Sequence, residues 1–234
     1  PADDGDDENV DRLGERDRAG RDPRVPPDGE DPGETRDECA EAEGDSARGA
    51  IRLYDLNNAT HTGSSFTTIA HGLLTGCGDV RGAAALVPRM VAVRHLLGDG
   101  LDARVQQLEA AQATVAGLDG ADRERARLAA AMADSLLMGG RIGPAAEHAG
   151  RAQAEAARIG DEETELEAAS TLGSARASGG QLEEGWRLLG DAIKRATERG
   201  QEQAAARGYR IAGSTAAALA EYDRAERWLT EGIR

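Results

Sequence analysis

A spacing of 40 residues is the feature of this sequence that most constrains its fold. Three segments align without gaps, and they span residues 128–152, 168–192 and 208–232. Their turn residues are Gly140, Gly180 and Ala220, each 40 positions after the one before. A spacing that occurs at a fixed period is the signature of a repeat architecture, in which each unit is one supersecondary element.

Each unit reads as a helix, a short turn and a second helix. The first helix carries an apolar–small pair, which is Met132-Ala133, Leu172-Gly173 or Ala212-Gly213. The second helix has a small residue in its first turn, which is Ala145, Gly185 or Ala225. Small side chains let the paired helices approach closely, with Leu189 and Leu229 filling the groove between them and Ala149 filling it less well. Such a pair cannot bury its apolar face alone, so neighbouring pairs must stack.

The pattern extends towards the N-terminus with lower regularity. Residues 64–78 and 81–97 fit the first and second helix of an earlier unit, because GDVRGAAA matches GRIGPAAE in its spacing of glycine, apolar residue and alanine. Pro88 would mark the true start of that second helix or kink it. Residues 101–118 form a further helix with Leu108 and Val115 on one face. We therefore expect roughly nine helices from residue 64 to the C-terminus.

The first 50 residues differ from the rest of the chain. They hold 18 acidic residues against 7 arginines, a net charge of −11, whereas the remainder carries only −4 of the total of −15. The segment has no periodicity and few apolar residues, so it cannot offset its ordering entropy and we expect it to be disordered. The sequence thus predicts two regions, an acidic segment over 1–50 and a helical-repeat domain over 51–234.

Charge and hydropathy exclude several function classes. An acidic chain without a Lys/Arg stripe repels phosphate backbones, so we expect no direct nucleic-acid binding by this fragment. The longest apolar runs are too short for a membrane span, and the N-terminus has no secretory signal pattern. Two distant cysteines, Cys39 and Cys77, do not form a disulfide framework. The expected location is the cytoplasm.

No catalytic or metal-binding group is evident. The four histidines and two cysteines show no spacing typical of zinc ligands, and we expect no metal. The glycine cluster GCGDVRG lacks the Lys and Ser/Thr of a P-loop, so no cofactor is expected either. The acidic run at Glu162, Glu163, Glu165 and Glu167 is typical of a solvated helix start. Trp186 and Trp228 fit packing positions rather than a ligand cage.

The helical pairs resemble the tetratricopeptide repeat. The small–large–small signature of that family matches Leu172, Gly173, Gly185, Leu189 and Ala192. The period of 40 differs from the usual length of about 34, Arg176 stands where an aromatic is usual, and a HEAT-like pair is the architectural alternative. The resemblance implies an all-α, right-handed superhelix of antiparallel helix pairs.

By analogy with tetratricopeptide grooves, the first helices would present a binding surface on the concave face. Its residues would be Arg127, Asp134, Glu167, Ser170, Ser174, Arg207, Arg210 and Ser214. Two close arginines among polar residues would suit a carboxylate-bearing peptide or effector. The expected partner is therefore a protein or a small effector, and self-association of the chain stays open.

A narrower resemblance covers residues 121–234 well and 64–120 loosely. The strings LEAASTLGSARASGGQLEEGWRLLGDAI and EYDRAERWLTEGI are similar to the helical-repeat region of large ATP-binding LuxR-type transcriptional regulators of actinobacteria. In that family the repeats lie between a P-loop ATPase and a DNA-binding helix-turn-helix, and both modules are missing from these residues. The resemblance implies a regulatory module, not an enzyme. The alternatives are a stand-alone adaptor and the sensor region of a multidomain nucleotide cyclase.

Overall fold

The computed structural model describes residues 60–233, with side chains from Thr67 onward. This part of the chain consists of nine helices and contains no strand. The helices are α1 (Thr60–Gly76), α2 (Val80–Leu96), α3 (Leu101–Val115), α4 (Asp122–Met138), α5 (Ile142–Ile159), α6 (Glu162–Ser178), α7 (Leu182–Glu198), α8 (Glu202–Ala218) and α9 (Tyr222–Ile233). The predicted all-α class is confirmed over these residues. The acidic segment 1–50 lies outside them, and its state stays a prediction.

A left-handed residue lies in each of the eight connections between consecutive helices from α1 to α9. These residues have φ between 60° and 95° and recur about every twenty positions: Gly78, Gly98, Gly120, Gly140, Gly160, Gly180, Gly200 and Ala220. In the turn after α6, for example, the Gln181 backbone N–H donates to the Arg176 carbonyl at 2.9 Å and so satisfies a helix-end acceptor. The turns predicted at Gly140, Gly180 and Ala220 are confirmed.

Alternate helices form a continuous row. α2 packs against α4, α4 against α6, and α6 against α8, while every helix also packs against its neighbours in the chain. We call α2, α4, α6 and α8 the even-helix row. Because α4, α6 and α8 are the first helices of the three aligned repeats, α2 is a first helix as well.

The assignment of α2 as the second helix of an earlier unit is therefore wrong. Each helix with its turn takes about twenty residues, so the same turn pattern closes both halves of a repeat. The match of residues 78–85 to 140–147 fits either half, and the packing of α2 on α4 decides between them.

One predicted helix start is also wrong, and one of the two alternatives for Pro88 is excluded. α1 begins at Thr60, four residues before the predicted start, because Thr, Ser and His lower helix propensity without forbidding a helix. Pro88 lies in the middle of α2 and does not mark its start.

The close contact of paired helices is clearest between α6 and α7. A Cβ atom added at Gly185 would lie 2.5 Å from the Ala177 backbone nitrogen and 2.6 Å from the Gly173 carbonyl oxygen. Leu189, one turn further on, is fully buried beside Gly173. Small residues at these two positions thus set the helix separation, as the sequence predicts. Leu229 packs on Gly213 in the next pair but remains 43% exposed.

The core is built mainly from alanine, leucine and valine. Ala133 of α4 and Ala149 of α5 pack with Leu172 of α6, and both alanines are fully buried. The two tryptophans lie in one cluster with Ile211, which agrees with their predicted packing role. Trp186 is buried, while Trp228 is half-buried with its ring 5.9 Å from that of Tyr209.

Candidate functional site

The even-helix row lines an open cavity of about 310 Å³. All four helices contribute to it, and the lining residues are Ala85, Pro88, Arg89 and Ala92 of α2, Arg127, Ala130, Ala131 and Asp134 of α4, Glu163, Thr164 and Glu167 of α6, and Gln203 and Arg207 of α8. We call this the even-row cavity. The apolar residues of the lining have small side chains. They are four alanines and a proline, and they leave a space that larger side chains would fill. Its polar lining is charged, with three arginines and three carboxylates.

Arg207 crosses the cavity from α8 to the two preceding helices of the row. Its Nη2 forms an ion pair with Asp134 Oδ1 at 2.9 Å, and its Nη1 donates to the Glu167 backbone carbonyl at 3.2 Å. Nη2 also lies 3.4 Å from Thr171 Oγ1. The guanidinium is therefore held by α4 and α6 together, and it ties the three successive repeats at this position.

Arg127 is held in a second ion-pair network at the start of α6. Its Nε lies 3.3 Å from Asp161 Oδ2, and its Nη2 lies 3.1 Å from Glu163 Oε2. Asp161 also pairs with Arg123 at 3.0 Å and accepts a hydrogen bond from the Thr164 hydroxyl at 2.9 Å. Burial by itself raises the pKa of the Asp161 carboxyl, but these hydrogen bonds and positive charges outweigh it and hold the pKa below its ordinary value.

Glu167 is the carboxylate of the cavity that lacks an ion pair. Among the described residues, no basic nitrogen lies within ion-pairing distance of its carboxylate oxygens. Burial raises the pKa of this carboxyl; the charge of Arg207 works against the shift, while the negative charges of Glu163 and Asp134 add to it. The arrangement leaves a desolvated acid facing the cavity.

Of the eight residues predicted for the binding surface, four meet in the even-row cavity. These are Arg127, Asp134, Glu167 and Arg207. Ser170 and Ser174 are buried instead: the Ser170 hydroxyl donates to the Leu166 carbonyl at 2.9 Å, and the Ser174 hydroxyl lies 2.7 Å from Thr215 Oγ1. Arg210 and Ser214 are exposed and lie outside the cavity lining. Arg207 and Arg210, which were expected to hold a carboxylate together, are therefore separated: Arg207 lines the cavity, whereas Arg210 does not.

Sequence reasoning missed several lining residues. Gln203 and Glu163 occupy equivalent positions 40 residues apart, just as Arg127, Glu167 and Arg207 do, so the repeat register would have found them. Arg89 and the wall formed by Pro88 escaped because α2 was given the wrong role in its repeat. The register identifies equivalent positions, but it does not indicate which helices come together.

The acidic run at the start of α6 is only partly the solvated face that its pattern predicts, since the Glu163 side chain is exposed whereas those of Glu162 and Glu165 are half-buried. Glu165 pairs with Arg195 at 2.7 Å, and Glu163 pairs with Arg127 in the cavity. Glu162 pairs with Arg199 and lies 3.7 Å from Arg195. The favourable helix-start position is the same, but basic side chains on neighbouring helices neutralise most of the run.

A second cavity, of about 290 Å³, lies between α1, α2 and α3. Its lining is mostly apolar and includes His71, Val87 and Ala111. It shares no lining residue with the even-row cavity.

The described residues do not bring metal-ligating side chains together. Within residues 67–233, no group of three or more His, Cys, Asp and Glu could hold a metal ion. His148 lies alone on α5, where burial lowers the pKa of its imidazole, the charge of Arg151 lowers it further, and Glu147 works against the shift. Cys39 and His61 lie outside the described side chains.

None of the nine helices between residues 60 and 233 is long and apolar enough to cross a membrane.

Solved structures show the fold class of the chain. Aspartyl phosphate phosphatase F from Bacillus subtilis superposes with a TM-score of 0.57 at 14% identity over 85% of this chain. A Podosopora anserina protein of nearly identical TPR-like repeats, assigned to the kinesin light chains, superposes with a TM-score of 0.54 at 15% identity over 84% of this chain and 94% of its own. The chain spans about half the length of the Bacillus protein, 51%. The fold is therefore a tetratricopeptide-like helical repeat.

No protein-family model and no curated protein sequence matches the chain. The resemblance to LuxR-type regulators thus rests on the residues quoted for it, and the structural neighbours support only the repeat fold.

Proposed function

We propose that this chain is a partner-binding helical-repeat module whose even-row cavity holds part of a protein ligand. The observation that carries the proposal is that four successive first helices place charged and small side chains around one space of about 310 Å³. The space is open to solvent and lined by charged groups, so it is not an interior void that core packing would close. A fully solvated face would not leave Glu167 half-buried without an ion pair among the described residues.

The size of the cavity indicates what enters it. Ligand pockets for whole small molecules range from about 300 to 1,000 Å³, so this cavity is at the lower end. It would accommodate one side chain or a short segment of a partner, while further contacts extend along the row. Repeat proteins commonly bind partners on the surface that successive repeats build together.

A blocking variant tests the proposal. Ala92 is exposed at the edge of the cavity, so Ala92→Trp would fill its entrance without disturbing the core. Ala113 on α3 is also exposed and lines neither cavity, so Ala113→Trp is the matched control. Short peptides selected from a random display library on the wild-type chain would serve as probes, with affinities measured by fluorescence anisotropy.

We expect the selected peptides to bind the Ala113→Trp variant as they bind wild type, and to lose roughly tenfold or more in affinity for the Ala92→Trp variant, which is about 1.4 kcal/mol. Peptides that bind both variants equally would show that binding takes place elsewhere and would contradict the proposal.

The biological setting is a second proposal, carried by the resemblance of residues 121–234 alone. We propose that the module is the regulatory middle of a LuxR-type ATP-dependent transcription regulator. Partner binding would then favour one arrangement of the repeats and so bias the neighbouring ATPase and DNA-binding modules. A stand-alone adaptor is compatible with the same cavity. Coding sequence for a P-loop on one side and a helix-turn-helix on the other would support the regulator; stop codons close to both ends would contradict it.

A further inference from the structure

The charges in the even-row cavity are unequally satisfied. Arg207 is held by Asp134 and by the Glu167 backbone carbonyl, at 2.9 and 3.2 Å. Arg127 is held by Asp161 and Glu163. A guanidinium that already has its carboxylate gains little from a second anion, which must also approach the acids around it. The cavity is therefore a poor site for a carboxylate, although its arginines suggest one.

Arg89, the third arginine of the lining, is not without a partner either. Among the described residues that line the cavity, the Glu167 carboxylate is the charged group with no ion-pair partner. Glu167 lies in the N-terminal half of α6, which packs against both α4 and α8. The charged groups around it are Arg89 from α2, Arg127 and Asp134 from α4, Glu163 from α6, and Arg207 from α8.

Five of the residues that line the cavity are small and apolar. Ala85, Pro88 and Ala92 line it from α2, and Ala130 and Ala131 line it from α4. A long aliphatic stem with a cation at its end matches both parts of this surface, because Lys and Arg bury their methylene chains along apolar groups while the charged end pairs with an acid. An uncharged apolar side chain would match the wall but would leave the Glu167 carboxylate buried and unpaired.

Resting on the proposed function, we infer that the even-row cavity receives the Lys or Arg side chain of a partner polypeptide, with Glu167 as the counterion of its ammonium or guanidinium group. The remaining ion pairs of the cavity then act as fixed walls: Arg207–Asp134 and Arg127–Glu163 stay closed when the partner binds. The specificity for a cation comes from one carboxylate rather than from an acidic surface.

The first test is the sequence of peptides selected on the wild-type chain from the random display library. We expect those that bind in the cavity to share a Lys or Arg at one fixed position. Replacing that residue by norleucine keeps the stem and removes the charge, and we expect it to weaken binding roughly 10–100-fold.

The second test is a double-mutant cycle with Glu167→Gln. This substitution keeps the shape of the side chain and removes a desolvated charge, so the variant should fold, and circular dichroism checks that it does. We expect Glu167→Gln to lower the affinity for the basic peptide by about the same factor as the norleucine replacement does. The affinity for the norleucine peptide should be nearly unchanged. Glu183→Gln, at an exposed position of α7, removes the same charge outside the cavity and should change neither affinity.

The dependence of affinity on pH distinguishes a counterion from a structural residue. Binding of a cation favours the ionised carboxylate, so the affinity of the basic peptide should rise as pH increases through the pKa of Glu167 in the free chain. This rise should disappear in the Glu167→Gln variant.

The outcomes separate this inference from the proposed function. Peptides that lose affinity for the Ala92→Trp variant but share no basic residue, or bind Glu167→Gln as well as wild type, would overturn the inference and leave partner binding in the cavity standing. If no selected peptide is sensitive to Ala92→Trp, both fall.

Discussion

At the scale of single residues, the turns show how strictly the backbone limits this sequence. Seven of the eight left-handed turn positions among the described residues are glycine, and the eighth is Ala220 with φ of 60°. A side chain with a Cβ atom disfavours this conformation, whereas glycine adopts it freely. Ala220 therefore stores backbone strain at the turn between α8 and α9.

We expect Ala220→Gly to stabilise the chain by roughly 0.5–1 kcal/mol, because the relief of strain exceeds the extra entropy of glycine in the unfolded state. Gly180→Ala, at the equivalent turn one repeat earlier, should destabilise it by a similar amount. Urea unfolding followed by circular dichroism measures both. A loss of stability in Ala220→Gly would contradict the strain argument.

The Glu167 carboxyl provides a second prediction at this scale. Since burial raises its pKa in the folded state, the folded chain binds a proton more tightly than the unfolded chain does. Its favourable contribution to the free energy of unfolding is then fully present below the unfolded pKa of about 4.5 and is lost as pH rises through the folded pKa. Glu167→Gln should therefore be more stable than wild type at neutral pH.

The advantage of the Glu167→Gln variant should shrink as pH falls towards about 4.5, the ordinary pKa of a Glu carboxyl. Thermal unfolding of both chains across this range measures the difference. An unchanged difference at all pH values would show that Glu167 does not titrate in this way.

At the scale of single residues, the sequence predicts which helix face some residues occupy, but it does not predict whether each side chain is exposed or buried. By analogy with tetratricopeptide grooves it places Arg127, Glu167 and Arg207 on one surface, and these three residues do line one cavity. It places Ser170 and Ser174 there too, yet both are buried. A serine hydroxyl in a helix can donate to a carbonyl of the preceding turn, so its polarity does not require exposure.

At the scale of elements, the contact between α6 and α7 depends on the absence of a side chain at one position. Gly185→Ala would bring a methyl group to 2.5 Å from the Ala177 backbone nitrogen and 2.6 Å from the Gly173 carbonyl oxygen, and neither helix can move without disturbing its other neighbours. We expect a loss of roughly 1–3 kcal/mol in unfolding free energy.

Gly190→Ala is the matched control on the same helix. The nearest atom to a Cβ at Gly190 belongs to the Trp228 ring at 4.0 Å, an ordinary contact distance. This substitution should raise stability by roughly 0.5–1 kcal/mol through helix propensity alone. Equal effects of the two substitutions in urea unfolding would show that close approach at Gly185 does not limit the packing.

The helices themselves were largely predictable from the sequence. Which helices pack against each other was only partly predictable. Apolar periodicity and turn glycines give the existence of the helices after residue 100, because both signals are local. The role of α2 was not predictable from its turn, since first and second helices have nearly the same length and close in the same way. Only the packing of α2 on α4 identifies it as part of the even-helix row.

At the scale of the whole repeat domain, ion pairs join helices that are distant in the sequence. Arg207 reaches Asp134, 73 residues earlier, and Arg127 reaches Asp161 and Glu163 across a full helix. These pairs fix the walls of the even-row cavity from three different repeats. The sequence shows the charges at repeating positions, but which acid pairs with which arginine depends on the distance between stacked helices, and no periodicity encodes that distance.

The central claim is that a partner binds in the even-row cavity. Alanine methyl groups report on it directly, because Ala85, Ala92, Ala130 and Ala131 line this cavity whereas Ala110 and Ala111 line the separate one between α1, α2 and α3. The most direct measurement is a methyl NMR titration of the ¹³C-alanine-labelled chain with a selected peptide. We predict that the signals of the first four alanines shift while those of Ala110 and Ala111 do not. Shifts confined to the second set, or absent from the first, would contradict the claim.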